Sequence, residues 1–262
     1  MKAKELMELL FHWCDDNGEK DYSNTCDTVK NGDPDREIRK VAVTMTATAD
    51  LIRKAQEWGA DLLIVHEPTF YSHMDQHLEN DPVTKAKEEL LAKTGMVIWR
   101  YHDHPHNKKM DMIGEGTVKM LGFQGTWINR SWAVNRFILD EPLTPREIME
   151  RFRRNGGEHV RICGTVDEPC KNISLCLGTP RGVFEELQDP EVDVVLVGES
   201  CEWALGEYAR DAAALGFKKA LMIIGHNPSE KGGMILLSEM LSNEIPSLET
   251  KYFDCGEVYH TL

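Results

Sequence analysis

Short apolar runs alternate with longer amphipathic stretches along most of the chain. The runs KVAVTMT (Lys40 to Thr46), DLLIV (Asp61 to Val65), MVIWRY (Met96 to Tyr101), DVVLV (Asp193 to Val197) and ALMII (Ala220 to Ile224) are short, rich in β-branched residues and bounded by turn or helix signals, so they predict strands. Nearly every position in them is apolar, which predicts strands covered on both faces. Helices are predicted between them: Ala49 to Trp58 stopping at Gly59, a second opening at Asp81-Pro82 and stopping at Gly95, and a third from the capping box Thr144-Pro145-Arg146-Glu147 to about Asn155. This alternation predicts an α/β fold with binding groups just beyond the carboxyl ends of the strands. WGADLLIVHEP and PEVDVVLVGES echo one another, each ending in an acidic residue (Glu67, Glu199), a likeness that two unrelated strands produce as readily as a duplication does. SWAVNRFIL (Ser131 to Leu139) opens a middle portion of β character. It sets a boundary near residue 128, with a first α/β domain over 1–128 completed by 235–262 and a second over 129–234.

Composition narrows the partners. The 262 residues are 41% hydrophobic and 28% charged, an ordinary globular balance, and 44 acidic against 30 basic residues give a formal net charge of −14. Such a field repels phosphate backbones and anionic lipid surfaces, which argues against nucleic acid and membranes as partners. The start, MKAKELMELLFHWCDD, carries acidic residues inside its apolar stretch, unlike a secretory signal, and no apolar run nears the roughly 18 residues of a membrane span. A cytoplasmic protein is the expectation. Seven cysteines is an odd count, and Cys163, Cys170 and Cys176 lack the close pairing of a zinc ribbon, so reduced thiols packed in strands are expected.

Three strand ends carry candidate chemistry. His66 and Glu67 follow DLLIV directly, and Pro68 biases Glu67 towards an extended backbone in which neighbouring side chains diverge. That suits two ligands reaching different ions, or a ligand beside a base. RYHDHPH places His102, His104 and His106 at alternate positions, on one face if the strand continues and in a polar loop if Pro105 breaks it. GHNPSEKGG puts His226 and Glu230 four apart, with Ser229 as a candidate N-cap of a helix to about Ser242. Each motif alone is explained as well by a solvated strand end or a helix cap. Their convergence at one sheet edge is what points to a metal site, and a nitrogen and oxygen donor set without thiolates suits Zn, Mn, Fe, Co or Ni. His73 and His77 have helical ligand spacing but sit in a polar stretch that reads as a loop. LGTPRGVFEEL reads as a chain reversal opening a helix, and neither a Walker-type phosphate loop nor a dinucleotide fingerprint is present.

GADLLIVHEPTF, IWRYHDHPH, VDVVLVGES and GHNPSEKGG, in this order and spacing, resemble the NIF three-like family, also described as GTP cyclohydrolase I type 2-like proteins. The resemblance spans nearly the whole chain and implies two interlinked α/β domains, a toroidal homohexamer and a dinuclear metal centre in a cleft. By this resemblance His66, His226 and Glu230 match the family's ligands directly. Glu67 stands where the family has the second histidine of His-His-Pro, and His106 where it has an aspartate four residues after the histidine matched by His102. The two departures look like an exchange of one histidine and one carboxylate between loops. Glu199 matches an acidic position near the family's cleft, as a base or as a residue orienting a ligand.

The leading functional expectation is a hydrolase with two divalent transition-metal ions per chain, held by His66, Glu67, His106, His226 and Glu230, with His102 or Glu199 moving protons and a nucleotide-like heterocycle, phosphoester or amide as substrate. The competing one is a noncatalytic metal-binding ring that presents surfaces to a protein partner.

Overall fold

The apolar runs become the inner strands of two separate sheets. The computed structural model describes residues 1–14, 22–108, 110–131, 134–179 and 181–260, so Trp132 and Ala133 of the SWAVNRFIL run lie outside the described residues. The chain divides into two units, Met1–Met112 with Met234–Cys255, and Ile113–Gly233 with Gly256–Leu262.

The first unit contains helix α1 (Ala3–Cys14), β1 (Val29–Asn31), β2 (Lys40–Thr44), α2 (Ala49–Trp58), β3 (Leu62–Val65), α3 (Pro82–Thr94), β4 (Val97–Arg100) and a short helix α4 (Asp103–Asn107). Helix α5 (Met112–Leu121) carries the chain into the second unit. There follow β5 (Gly125–Ser131), β6 (Val134–Leu143), α6 (Pro145–Arg154), β7 (Arg161–Gly164), β8 (Cys170–Cys176), α7 (Val183–Gln188), β9 (Val194–Val197), a π-helical turn (Glu202–Gly206), α8 (Glu207–Ala214) and β10 (Ala220–Ile223). Helix α9 (His226–Glu244) then leads back, and β11 (Glu249–Tyr252) completes the first sheet.

The first sheet has the order β1-β4-β3-β2-β11. Its strands β4, β3, β2 and β11 run parallel, and β1 is antiparallel to β4. Parallel neighbours need crossovers, and α2 and α3 supply them. Both are bounded by local chemistry. Thr48 Oγ1 accepts from Leu51 N at the start of α2 and Gly59 ends it at φ 85°; Asp81 caps α3, Pro82 sits in its first turn and Gly95 ends it at φ 61°. The second sheet, β5-β6-β8-β9-β10-β7, has a parallel centre of β8, β9 and β10 flanked by antiparallel strands. The predicted capping box is formed, with the Thr144 hydroxyl accepting from Glu147 N and the Glu147 carboxylate accepting from Thr144 N.

Both parallel cores are as dry as the near-continuous apolar runs predict. Val41, Ala42, Leu62, Leu63, Ile64, Val65, Val97 and Ile98 in one sheet, and Val194 to Val197 in the other, are fully buried. No disulfide joins any of the seven cysteines, and Cys163, Cys170 and Cys176 lie in β7 and β8. Among the described residues no helix is long and apolar enough to cross a membrane.

A buried lysine anchors the loop after β3. Lys87 on α3 donates its Nζ to Thr69 O at 2.6 Å and lies over the Tyr71 ring. Burial, opposed by Asp75, pushes its pKa from 10.5 down to about 8. Between those values the unfolded chain holds a proton that the folded chain has released, so stability rises with pH from about 8 to 10.5 and gains nothing from this group below that window. Lys87→Met is expected to flatten the rise, read as the difference between urea midpoints measured near the two ends of the window.

Candidate metal centre

In the first unit the site begins where β3 stops. The amides of His66 and Glu67 both donate to Met45 O, at 3.0 and 2.8 Å, so the chain leaves the strand ladder at this point. The two side chains part as an extended backbone requires. His66 is fully buried, whereas Glu67 is partly exposed and faces the Arg100 guanidinium at 3.8 Å. Arg100, itself fully buried, also donates Nε to His66 O at 2.9 Å and fastens the turn.

β4 ends at Arg100, and the next residues neither continue the strand nor form an open loop. Asp27, a buried carboxylate, collects three successive amides: Oδ1 accepts from His102 N at 2.7 Å and Asp103 N at 2.9 Å, and Oδ2 from His104 N at 2.9 Å. The chain is thereby wound into α4, and His102 and His106, four apart, fall on one side of a helical turn. His104 turns away. Its ring stacks between Phe11 and Tyr22, with centroids 4.0 and 3.7 Å away, and its Nδ1 meets Asp27 Oδ2 at 2.6 Å.

His66, His102 and His106 form a near-equilateral group. Ring centroids are 4.6, 5.1 and 5.0 Å apart, and one ring nitrogen from each lies within 4.8 Å of the others. The Nδ1 atoms are all tied back, to Tyr101 O at 3.1 Å from His66, to Asp103 Oδ1 at 2.9 Å from His102 and to Asp111 Oδ2 at 3.1 Å from His106. A carbonyl or carboxylate can only accept, so each Nδ1 carries the hydrogen and each Nε2 is left as the donor atom for an ion. Burial first, and then the neighbouring His102 and His106 rings, hold the His66 pKa well below 6.5, so its lone pair is available at neutral pH. The group therefore fits a transition metal, and the oxygen partners on Nδ1 are the orienting contacts that ligating histidines use.

In the second unit the carboxyl ends of β8, β9 and β10 are laced together. Glu199 N donates to Gly178 O at 2.9 Å and Gly225 N to Gly198 O at 3.0 Å. Gly225, at φ +96°, turns the chain into α9. The helix starts at His226, three residues before the cap expected at Ser229, because the Ser229 hydroxyl is engaged elsewhere: it accepts from Gly178 N at 3.1 Å and donates to His226 O at 2.7 Å. His226 and Glu230 thus stand one turn apart, with Nε2 and Oε2 separated by 3.3 Å, and Glu199 Oε1 meets His226 Nδ1 at 2.7 Å. With the Nδ1 hydrogen given to Glu199, a lone pair and a carboxylate face each other across that gap, an arrangement that calls for a shared proton or a cation.

Gly178 keeps the space open. A Cβ there would stand 2.5 Å from Glu230 Oε1 and 3.2 Å from His226 Nε2, on a backbone at φ +62°. Gly178→Ala is expected to lower stability by about 1 kcal/mol through backbone strain alone, and to weaken metal uptake by pushing the pair apart. Parallel denaturation and metal titration of the variant would measure the two effects. A cavity of about 610 Å³ opens beside the pair, lined by Glu199, His226, His159, Arg161 and Ser200 among others.

The two histidines of the loop after β3 are not brought together as ligands. His77 packs against Phe70 and pairs with Glu88, and the segment is a series of turns, as the polar stretch predicted. Asp27, His159 and Arg161 had no local signal, because the groups they pair with are distant in sequence, whereas Asp103 and Asp111 stand one and five residues from the rings they hold and were signalled only by that proximity.

The sequence profile of the Duf34/NIF3 (NGG1p interacting factor 3) family matches residues 1–255. A protein of Clostridium perfringens named GTP cyclohydrolase 1 type 2 homolog is 22% identical over 255 residues, covering 94% of each chain. Among solved structures, protein ybgI, described as of unknown function, superposes with a TM-score of 0.79 at 20% identity, over 99% of this chain and 100% of that one. Reduced HcgD from Methanocaldococcus jannaschii gives 0.72 at 18% identity, over 96% and 97%. At these identities the structures establish the shared fold. The family match, running through every strand end just described, shows that the chain belongs to the Duf34/NIF3 family.

Proposed function

We propose that the chain is a metal-dependent hydrolase that binds two divalent transition-metal ions and acts on a small, nucleotide-like substrate. His66, His102 and His106 hold one ion, with Glu67 as a further oxygen donor from the same turn, and His226 and Glu230 hold another. In this reading His102 is a donor rather than a proton carrier, and Glu199 orients the His226 ring. The observation that carries the proposal is the tautomer imposed on three adjacent imidazoles by Tyr101 O, Asp103 and Asp111.

Ions held there supply Lewis acidity and activation of water. The protein's own part is positional. Asp103 and Asp111 hold the Nδ1 hydrogens of His102 and His106, Glu199 does the same for His226, and Arg161 offers a cationic group, with the His159 ring beside it, to an anionic substrate at the cavity wall. The name carried by the curated relatives puts GTP first among substrates to try. A homohexameric ring belongs to the same reading and is tested by sedimentation velocity.

The chain purified without chelator is expected to carry about two transition-metal ions, as two-metal hydrolases do, and to hydrolyse a member of a panel of nucleotides, phosphoesters and cyclic amides supplied with Mn, Zn or Fe. His226→Ala should remove one ion and the turnover. Metal without turnover across the panel supports instead a metal-stabilised binding protein, and absence of metal after reconstitution sinks both readings.

A further inference from the structure

Behind the three imidazoles, in the same unit, lies a second group of metal-binding type with a sulfur donor. Cys26 Sγ, a carboxylate oxygen of Asp103 and a ring nitrogen of His73 all lie within 4.8 Å of one another. We propose that Cys26, His73 and Asp103 form a separate binding site for a zinc-class ion, next to the three-imidazole group and distinct from it in donor chemistry.

The sulfur sets the class of ion. A thiolate, an imidazole and a carboxylate together suit Zn or Co and serve Mg or Ca poorly, since those take oxygen and only one of the three donors supplies it. Three protein donors leave a fourth tetrahedral position open, as in zinc sites that exchange a ligand. Donor atoms around such an ion stand about 3.3–3.7 Å apart, a spacing that Cys26 Sγ and Asp103 Oδ1 already have at 3.4 Å, so any closing falls to the third donor. The side chain free to do so is His73, which is exposed, while Cys26 and Asp103 are fixed.

Their fixation is detailed. Asp103 Oδ2 accepts from Thr25 Oγ1 at 2.9 Å and Cys26 N at 3.1 Å, and Oδ1 accepts from His102 Nδ1 at 2.9 Å and Cys26 Sγ at 3.4 Å. All four lone-pair directions of the carboxylate are thus used. The bond that an ion would replace is the thiol's, because a coordinated Cys26 gives up its hydrogen to solvent and thereby frees an Asp103 lone pair for the ion. Cys26 Sγ also lies 3.7 Å from Asp27 Oδ1, and the Asp103 and Asp27 carboxylates offset the positive charge of an ion there.

The loop that presents His73 is pinned from beneath. Asp75, buried, accepts from Phe70 N at 2.9 Å and pairs with Lys30 at 2.8 Å and Arg100 at 3.7 Å, and Arg100 also donates to His73 O. Tyr71 and Asp75 hold φ values of 52° and 55°, backbone conformations that non-glycine residues keep only when their surroundings impose them. The His73 ring ends 5.7 Å from the His102 ring. Because Asp103 touches both Cys26 and His102, an ion in this site would bear on the orientation of His102.

The test uses cobalt(II) as the probe on the full chain carrying His66→Ala and His226→Ala, which break the three-imidazole group and the His226–Glu230 pair and separate this site from the proposed hydrolytic one. A thiolate-to-cobalt charge-transfer band in the near ultraviolet is expected, saturating near one equivalent. The band should vanish in the added Cys26→Ser variant, and His73→Ala should weaken cobalt affinity by at least about tenfold. No such band, a band that persists without Cys26, or an affinity unmoved by His73→Ala overturns the proposal. Should the Cys26 variant fail to fold, His73→Ala alters only an exposed side chain and decides the matter by itself.

Discussion

His66→Ala, compared in a chain carrying Cys26→Ser, is expected to lower the affinity of the three-imidazole group for Zn or Co by at least about a hundredfold, since removing a residue that merely orients a ligand already costs about 10–100-fold. His104, the nearest other imidazole in sequence, cannot take over, because it is stacked between Phe11 and Tyr22 and bound to Asp27. Competition against a chromophoric chelator at neutral pH would measure the loss. The informative control is His104→Ala. Its ring is as buried as the others, so it should lower stability by about 1–3 kcal/mol by leaving Asp27 short of a donor, yet change metal affinity little. Equal losses of affinity in the two variants would mean that any disturbance of α4 abolishes binding, and the assignment of His66 as a ligand would fail with it.

That contrast shows what the sequence could and could not disclose. The strands and capped helices were legible because their determinants are local. Four-residue apolar runs make dry strands whatever surrounds them, and Thr48, Asp81 and Thr144 cap their helices with residues three positions on. The strand-end motifs holding His66, His102 and His226 were legible for the same reason. The conformation of RYHDHPH was not. Strand and loop were the two alternatives visible in its spacing, and the turn of helix actually adopted is imposed by Asp27, from about 75 residues away. The start of α9 was placed late because Ser229 looks like a cap from its neighbours alone, while its hydroxyl is claimed by Gly178 of another loop. Glu67 and Arg100 illustrate the same limit. An acidic residue beside a histidine reads as a ligand, but nothing near it in the sequence shows the buried guanidinium that it also faces, which comes from the next strand.

Asp27→Ala should therefore be the most damaging substitution outside the donor set. The carboxylate is 4% exposed and accepts from the amides of His102, Asp103 and His104 as well as from the His104 ring. Removing it strands buried donors at the turn that carries two of the three imidazoles, a class of lesion that costs about 3–5 kcal/mol, more than the roughly 1 kcal/mol of an ordinary hydrogen bond. It also releases His102 and His106 from their common face, so zinc or cobalt affinity should fall by about 10–100-fold although no donor atom has been removed. Asp27→Asn should not rescue it. An amide offers one accepting oxygen where two are used, and its NH₂ would face either the His102 and Asp103 amides or the His104 groups, donor against donor. Urea unfolding of the metal-free chain and cobalt titration of the same variants separate the two effects. A stable Asp27→Ala chain with unchanged cobalt affinity would show that α4 is set by its own sequence, and that Asp27 only decorates it.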